Sequence, residues 1–133
     1  MNDLVVTGKR KTAIAKATIK EGNGKILVNK KPIELFEQLQ RLELSEPIEI
    51  AKEVLGDLKF NISVNVKRGG TASRIEASRL AIARAIVEYT KEDKVKQAYL
   101  TYDRNLLVAD TRRKEPYKPG DSKARAKRQT SYR

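Results

Sequence analysis

The spacing of apolar residues changes several times along the chain. Over residues 12–20 the odd positions are Ala13, Ala15, Ala17 and Ile19, while the even ones read Thr, Ile, Lys, Thr, Lys. A period of two with one small apolar face predicts a strand. Gly22-Asn23-Gly24 is a turn signal, and the short run Ile26-Leu27-Val28 lies behind it. Residues 12–29 therefore read as a β-hairpin. Pro32 suits the first position of a helix, and Ile33, Leu35, Phe36, Leu39 and Leu42 come after it at helical spacing. Pro47 is expected to stop or restart that helix. Ile48, Ala51, Val54 and Leu55 then make a short amphipathic piece ending at Gly56.

The cleanest alternation covers residues 58–66, where Leu58, Phe60, Ile62, Val64 and Val66 are separated by polar side chains. Gly69-Gly70 breaks this strand, and Thr71 or Ser73 can cap a helix starting there. Residues 72–90 are rich in Ala, Leu, Ile, Arg and Glu without Gly or Pro, which predicts that helix. Ile75, Ile82, Ala83, Ile86 and Tyr89 share one arc of it. Arg79 falls on the same arc, so it either snorkels to water or meets an acidic group. A short helix over 94–100 and a short strand over 106–109 complete the reading. Strands precede and follow helices without a regular βαβ rhythm. The fold class is α+β: a small mixed or antiparallel sheet with helices packed on one face.

The apolar pattern stops near residue 110. Residues 1–110 read as one globular domain, and 111–133 as an extended basic tail with Pro116, Pro119 and Gly120 but no core-forming pattern. The net charge is +12, and 111–133 hold +7 of it in less than a fifth of the chain. Charge of that sign selects polyanionic partners: nucleic acid, an anionic membrane or an acidic protein. No apolar run approaches the roughly 20 residues that span a bilayer, and residues 1–8 lack a long apolar signal region. With no Cys and no His, the chain has no thiolate nucleophile and lacks the commonest general base and metal ligand. The absence of Cys also fits a reducing cytosol.

Three basic groups stand out. In the tail, Arg112, Arg113, Lys114, Lys118, Lys123, Arg125, Lys127 and Arg128 are spaced by small and polar residues, as suits a chain that tracks phosphates. Tyr117 and Tyr132 offer faces for base stacking; a plain solubility tail is the ordinary alternative. At the strand–helix junction, Gly69 and Gly70 allow close backbone approach, the helix start presents free N–H groups, and Arg68, Arg74 and Arg79 surround it. The alternative there is a simple turn. Lys9-Arg10-Lys11, with Lys16 on the next strand, either meets phosphate or protects a strand edge from aggregation. Asp93, Asp103 and Asp110 can in principle gather Mg²⁺ for nuclease chemistry, but no motif supports it, and surface or capping carboxylates are the ordinary explanation. No cofactor, metal site or catalytic set is expected. A DNA-compacting basic protein is the rival that charge alone allows.

Five segments taken in order resemble a known family. They are Gly8 to Ala13 with Ala15-Lys16-Ala17; Gly24-Lys25-Ile26 with Val28-Asn29; and Gly69-Gly70 through Ala77, Arg79 and Ile82 to Ala85. Leu107 with Asp110 and Arg112 comes next, and the ending runs from Lys123-Ala124-Arg125 through Gln129 to Ser131-Tyr132-Arg133. They resemble the universal ribosomal small-subunit protein number nine, with an archaeal or eukaryotic ending. The chain departs at Arg68, where the family usually has the first of three glycines, and at Arg74, where it usually has Gln. The resemblance implies a fold like the second domain of ribosomal protein number five. It implies a structural role in the ribosome of the cytoplasm, binding small-subunit ribosomal RNA in the head beside neighbouring head proteins. It further implies that Arg133, with Tyr132 and Arg128, approaches P-site transfer RNA. Neither a membrane nor a homo-oligomer is implied.

Overall fold

The computed structural model describes residues 3–109 together with Thr111 and Arg112. Strand β1 (Leu4–Arg10) and β2 (Ala13–Glu21) form an antiparallel hairpin in which Leu4 faces Ile19 and Arg10 faces Ala13. β3 (Ile26–Val28) and β4 (Lys31–Pro32) come next, then α1 (Gln38–Leu55), β5 (Phe60–Lys67), α2 (Thr71–Thr90) and α3 (Asp93–Tyr102). The strands make one mixed sheet in the order β1-β2-β5-β3-β4. The fold is α+β with helices on one face, as the pattern predicts.

Residues 12–29 do not form the predicted hairpin. β5 lies between β2 and β3, antiparallel to the first and parallel to the second. The reason is visible in Asn61, at the start of β5. Its side-chain oxygen accepts from the backbone N–H of Asn23, Gly24 and Lys25 at 2.9, 3.1 and 3.0 Å. The glycine-rich turn is thus folded over the end of β5 and delivers β3 to its far edge. β5 alternates buried and exposed side chains over its full length, as suits a strand with one face on the core and one face open.

The inward positions of the sheet are Val6, Ala13, Ala15, Ala17, Ile19, Ile62, Val64 and Val66, all buried. α2 covers them. It carries alanines where it meets β1, and Gly8 completes the fit: a Cβ there would stand 2.6 Å from the Ala77 carbonyl oxygen and 2.7 Å from the Ala81 nitrogen. Only glycine permits that approach. The outward face of the sheet is open and polar, with Lys9, Lys16, Lys20, Asn65 and Lys67 exposed.

Three further expectations change. α1 runs through Pro47 instead of stopping there. Proline costs the helix the hydrogen bond to the Glu43 carbonyl, about 3 kcal/mol or more in a helix interior. Burial of Leu44, Pro47, Ile48 and Ala51 along one face offsets it. Ile33 to Leu35 form a 3-10 turn ahead of α1, so the helix begins later than Pro32 suggests. The strand over 106–109 is absent; Arg104–Leu106 is a 3-10 turn. There Asp103 accepts from the Asn105 N–H, and the Arg84 guanidinium donates to the Leu107 carbonyl at 2.9 Å, so these backbone groups need no ladder.

Tyr99 of α3 is fully buried, and its hydroxyl donates to the Pro47 carbonyl at 2.7 Å. Burial pushes this phenol well above its ordinary pKa.

Candidate nucleic-acid interface

The topology brings dispersed basic residues to one end of the sheet. β1 ends at Arg10, and β2 begins beside it. β5, antiparallel to β2, ends at Lys67 opposite Ile14. β3, parallel to β5, ends opposite Val64, and the next residue, Asn29, accepts from the Val66 N–H through its side-chain oxygen at 2.9 Å, which ties the following turn to the same end of the sheet. The turn after β1, the turn after β3 and the start of α2 therefore share one rim. Lys9, Lys11, Lys30, Lys31, Lys67, Arg68 and Arg74 are exposed there.

The rim is held by its backbone. Lys11, Asn29, Lys30 and Arg68 have φ of 53°, 51°, 63° and 66°, the left-handed region that non-glycine residues rarely occupy. Asn29-Lys30 is the two-residue turn between β3 and β4, where two positive φ values match the strand twist. Arg68 and Gly69 turn the chain from β5 into α2. A Cβ on Gly69 would lie 2.9 Å from the Ala13 Cβ, so the junction packs directly on the β1–β2 turn. Arg68 occupies a conformation that glycine adopts without strain. Arg74 reaches back, its Nε donating to the Arg68 carbonyl at 3.0 Å. Neither Thr71 nor Ser73 caps α2: Gly70 is the N-cap, with no side-chain bond. The first N–H groups of the helix face the rim without a side-chain cap.

Not every predicted basic residue points outward. Arg10 is mostly buried, bonded through Nε to Glu76 and through a terminal nitrogen to the Arg112 carbonyl at 2.9 Å. It fixes the start of the basic segment beside the rim. Arg79 is also mostly buried and pairs with Glu46 of α1 and, at 3.6 Å, with Asp103. Of the two possibilities for Arg79, the acidic partner is the one observed. Lys16 is exposed on the open sheet face, beside Thr7 and Asn65 in register. Lys30, Lys31 and Lys67 join the rim although nothing in the sequence pattern singles them out. The Asn29-Lys30 turn is the one available signal, and pairing β3 with β2 hides it. Arg113, Lys114, Lys118, Lys123, Arg125, Lys127, Arg128, Tyr132 and Arg133 lie outside the described residues.

The carboxylates do not gather. Asp103 caps a turn and faces Arg79, Asp93 opens α3, and Asp110 lies outside the described residues. Among the described residues no three acidic side chains are placed to share a metal ion.

The family described as "Ribosomal protein S9/S16" matches residues 8–133. The chain belongs to that family. Its members are structural constituents of the ribosome, not enzymes. A protein named "Small ribosomal subunit protein uS9" from Methanococcus maripaludis strain C5 is 51% identical over 95% of both chains. The protein of the same name from Methanococcus vannielii is 50% identical over the same share. The likeness therefore runs through the rim, the junction and the ending alike, and it is of the archaeal type.

Proposed function

We propose that this chain binds small-subunit ribosomal RNA in the head of the small subunit through the basic rim and residues 112–133. The observation that carries the reading is the convergence of Lys9, Lys11, Lys30, Lys67 and Arg68 on the sheet end where Arg10 holds Arg112. Cations on rigid turns lose only side-chain freedom when they meet phosphates, whereas a basic segment gives up backbone entropy as well when it orders on RNA. Gly69, Gly70 and the uncapped start of α2 add backbone donors for a phosphate at the same place. Arg79 takes no part, since its guanidinium is engaged within the fold. Arg128, Tyr132 and Arg133 approach P-site transfer RNA. The protein works as a single copy in the cytoplasmic ribosome beside other head proteins.

Sedimentation of a lysate with an N-terminally tagged chain tests this. The chain should travel with small subunits and intact ribosomes through a moderate salt wash. Removing residues 130–133 should leave assembly nearly intact while weakening P-site transfer RNA binding. Removing 112–133 should damage assembly as well. A chain that stays at the top of the gradient, or follows DNA, returns the reading to a general polyanion binder.

A further inference from the structure

The predicted stripe Leu35, Leu39 and Leu42 is not part of the core. These side chains are 65%, 76% and 52% exposed. α1 buries the opposite side, through Leu44, Pro47, Ile48 and Ala51. By helical spacing Leu39, Leu42, Ile50 and Glu53 share the outer face. Tyr102 of α3, 58% exposed, extends it. A shallow groove there is lined by Leu42, Glu46, Glu49, Ile50, Glu53 and Tyr102. A second groove shares Ile50, Glu53 and Tyr102 and continues to Asp93, Lys94 and Ala98, with Lys94 the one cation in its lining.

The charge of this region opposes that of the rest. Residues 34–57 hold seven acids and two bases, a net −5 in a chain of +12. Phosphate is repelled from such a face, and exposed leucines gain nothing from RNA backbone. A second copy docking face to face would bring the same negative charge. Residues 111–133 match the charge but hold no Leu, Ile, Val, Met or Phe to anchor in leucine-lined grooves, and their two large side chains, Tyr117 and Tyr132, each carry a hydroxyl. The complementary ligand carries Lys and Arg flanking large apolar residues.

We propose that the outer face of α1 and α3 docks a basic, apolar segment of another protein in the same particle. The proposal rests on the ribosomal reading above for its setting. Apolar anchors in the grooves supply the contact, and Glu43, Glu49 and Glu53 pair with the flanking cations and fix its register.

The test uses the full tagged chain with p-benzoylphenylalanine in place of Leu42, assembled into small subunits and irradiated. A second chain carries the same group in place of Lys11. The expected product from position 42 is a cross-link to a Lys/Arg-rich peptide of another protein. Adding Glu49→Lys and Glu53→Lys should lower its yield about fivefold or more. The group at position 11 should cross-link to RNA. If position 42 reacts with RNA, with residues 111–133, with a second copy, or with nothing, the docking proposal is overturned while the ribosomal reading stands. A chain absent from small subunits overturns both. Leu42 is exposed, so its replacement leaves the thermal midpoint of the free protein within a degree or two of the parent, which separates loss of docking from loss of folding.

Discussion

At the end of the sheet, exposed lysines and arginines stand on tight turns whose backbone is held in a rare conformation. Along α1, acids and exposed leucines stand on a helix that has no positive φ and whose one irregularity, Pro47, lies on the buried side. The first region spends conformational strain to present cations; the second presents apolar area and negative charge from the outer side of a helix. Strain persists only where surrounding structure over-determines it. Here Gly69 pressed on Ala13, and Arg74 on the Arg68 carbonyl, supply that support. The net charge of +12 conceals this division, because the −5 of residues 34–57 is averaged into it. A polyanion-binding chain with a segregated acidic face has room for two kinds of partner.

Arg79 is where the two regions are joined, since α2 begins at the rim and Arg79 reaches from it to Glu46 of α1. Breaking that joint should give the largest effect. Arg79→Met leaves Glu46 and Asp103 facing each other half-buried, and should cost about 2–4 kcal/mol in urea denaturation. A loss below about 1 kcal/mol would mean that apolar packing alone holds α1 in place.

The next test separates the surfaces by their ligands. Replacing Lys11, Lys30 and Lys67 together by Ala should weaken binding to small-subunit ribosomal RNA about tenfold or more. The salt slope should fall by about 1 for each phosphate left without its cation. Glu43→Gln with Glu49→Gln, on the acidic face, should leave RNA affinity within about twofold. Both sets are exposed, so stability should move by only about 0.5 kcal/mol. Equal losses from the two sets would erase the distinction between rim and helix.

The difference between the regions also explains why some elements are legible in the sequence and others are not. Alternation over 58–66 and helix-forming composition over 72–90 report local preference, and β5 and α2 lie there. The partner of β3 is decided by Asn61, more than thirty residues away, so local pattern points to a hairpin instead and hides the rim's Lys30 and Lys31. β1 gives no clear signal because its pattern is broken at both kinds of position: Val5 faces water, and Gly8 faces the core as the close contact with α2. Charge tells which residues are cations, not which are engaged. Arg10, Arg79 and Arg84 are internal ties, a use that suits the many donors of guanidinium, while the exposed cations of the rim are mostly lysines. The leucine stripe has helical spacing and does lie beside and along α1, but spacing does not say which face is buried.

Tyr99 offers a smaller probe, confined to the helical side. Its phenol is neutral and buried, with a pKa raised above the ordinary value of 10.0. The unfolded phenol ionises first, so this group's contribution is intact below about pH 10 and is lost as pH rises beyond it. Parent and Tyr99→Phe should differ by about 1 kcal/mol near neutrality, through the bond to the Pro47 carbonyl. Above about pH 10 the gap should close and then reverse. Lysine titration is common to both proteins and cancels in the comparison. A gap that stays constant to about pH 11 would mean that the ring opens to solvent before unfolding. RNA binding by the rim at neutral pH should be the same in both.

The smallest effect is the most instructive about the rim. Arg68 has φ of 66°, a conformation that costs a non-glycine residue about 1–2 kcal/mol. Glycine there removes the strain but adds about 0.5–1 kcal/mol of unfolded-chain entropy. The two terms oppose, so Arg68→Gly should raise stability by at most about 1.5 kcal/mol. In the same variant the RNA salt slope should fall by about 1, because one cation is gone. Stability up and affinity down together would show that the strain is retained for the phosphate it presents a cation to. If stability rises and the salt slope does not move, Arg68 is a strained side chain without a phosphate to meet, and the cations that matter are those on Lys11, Lys30 and Lys67.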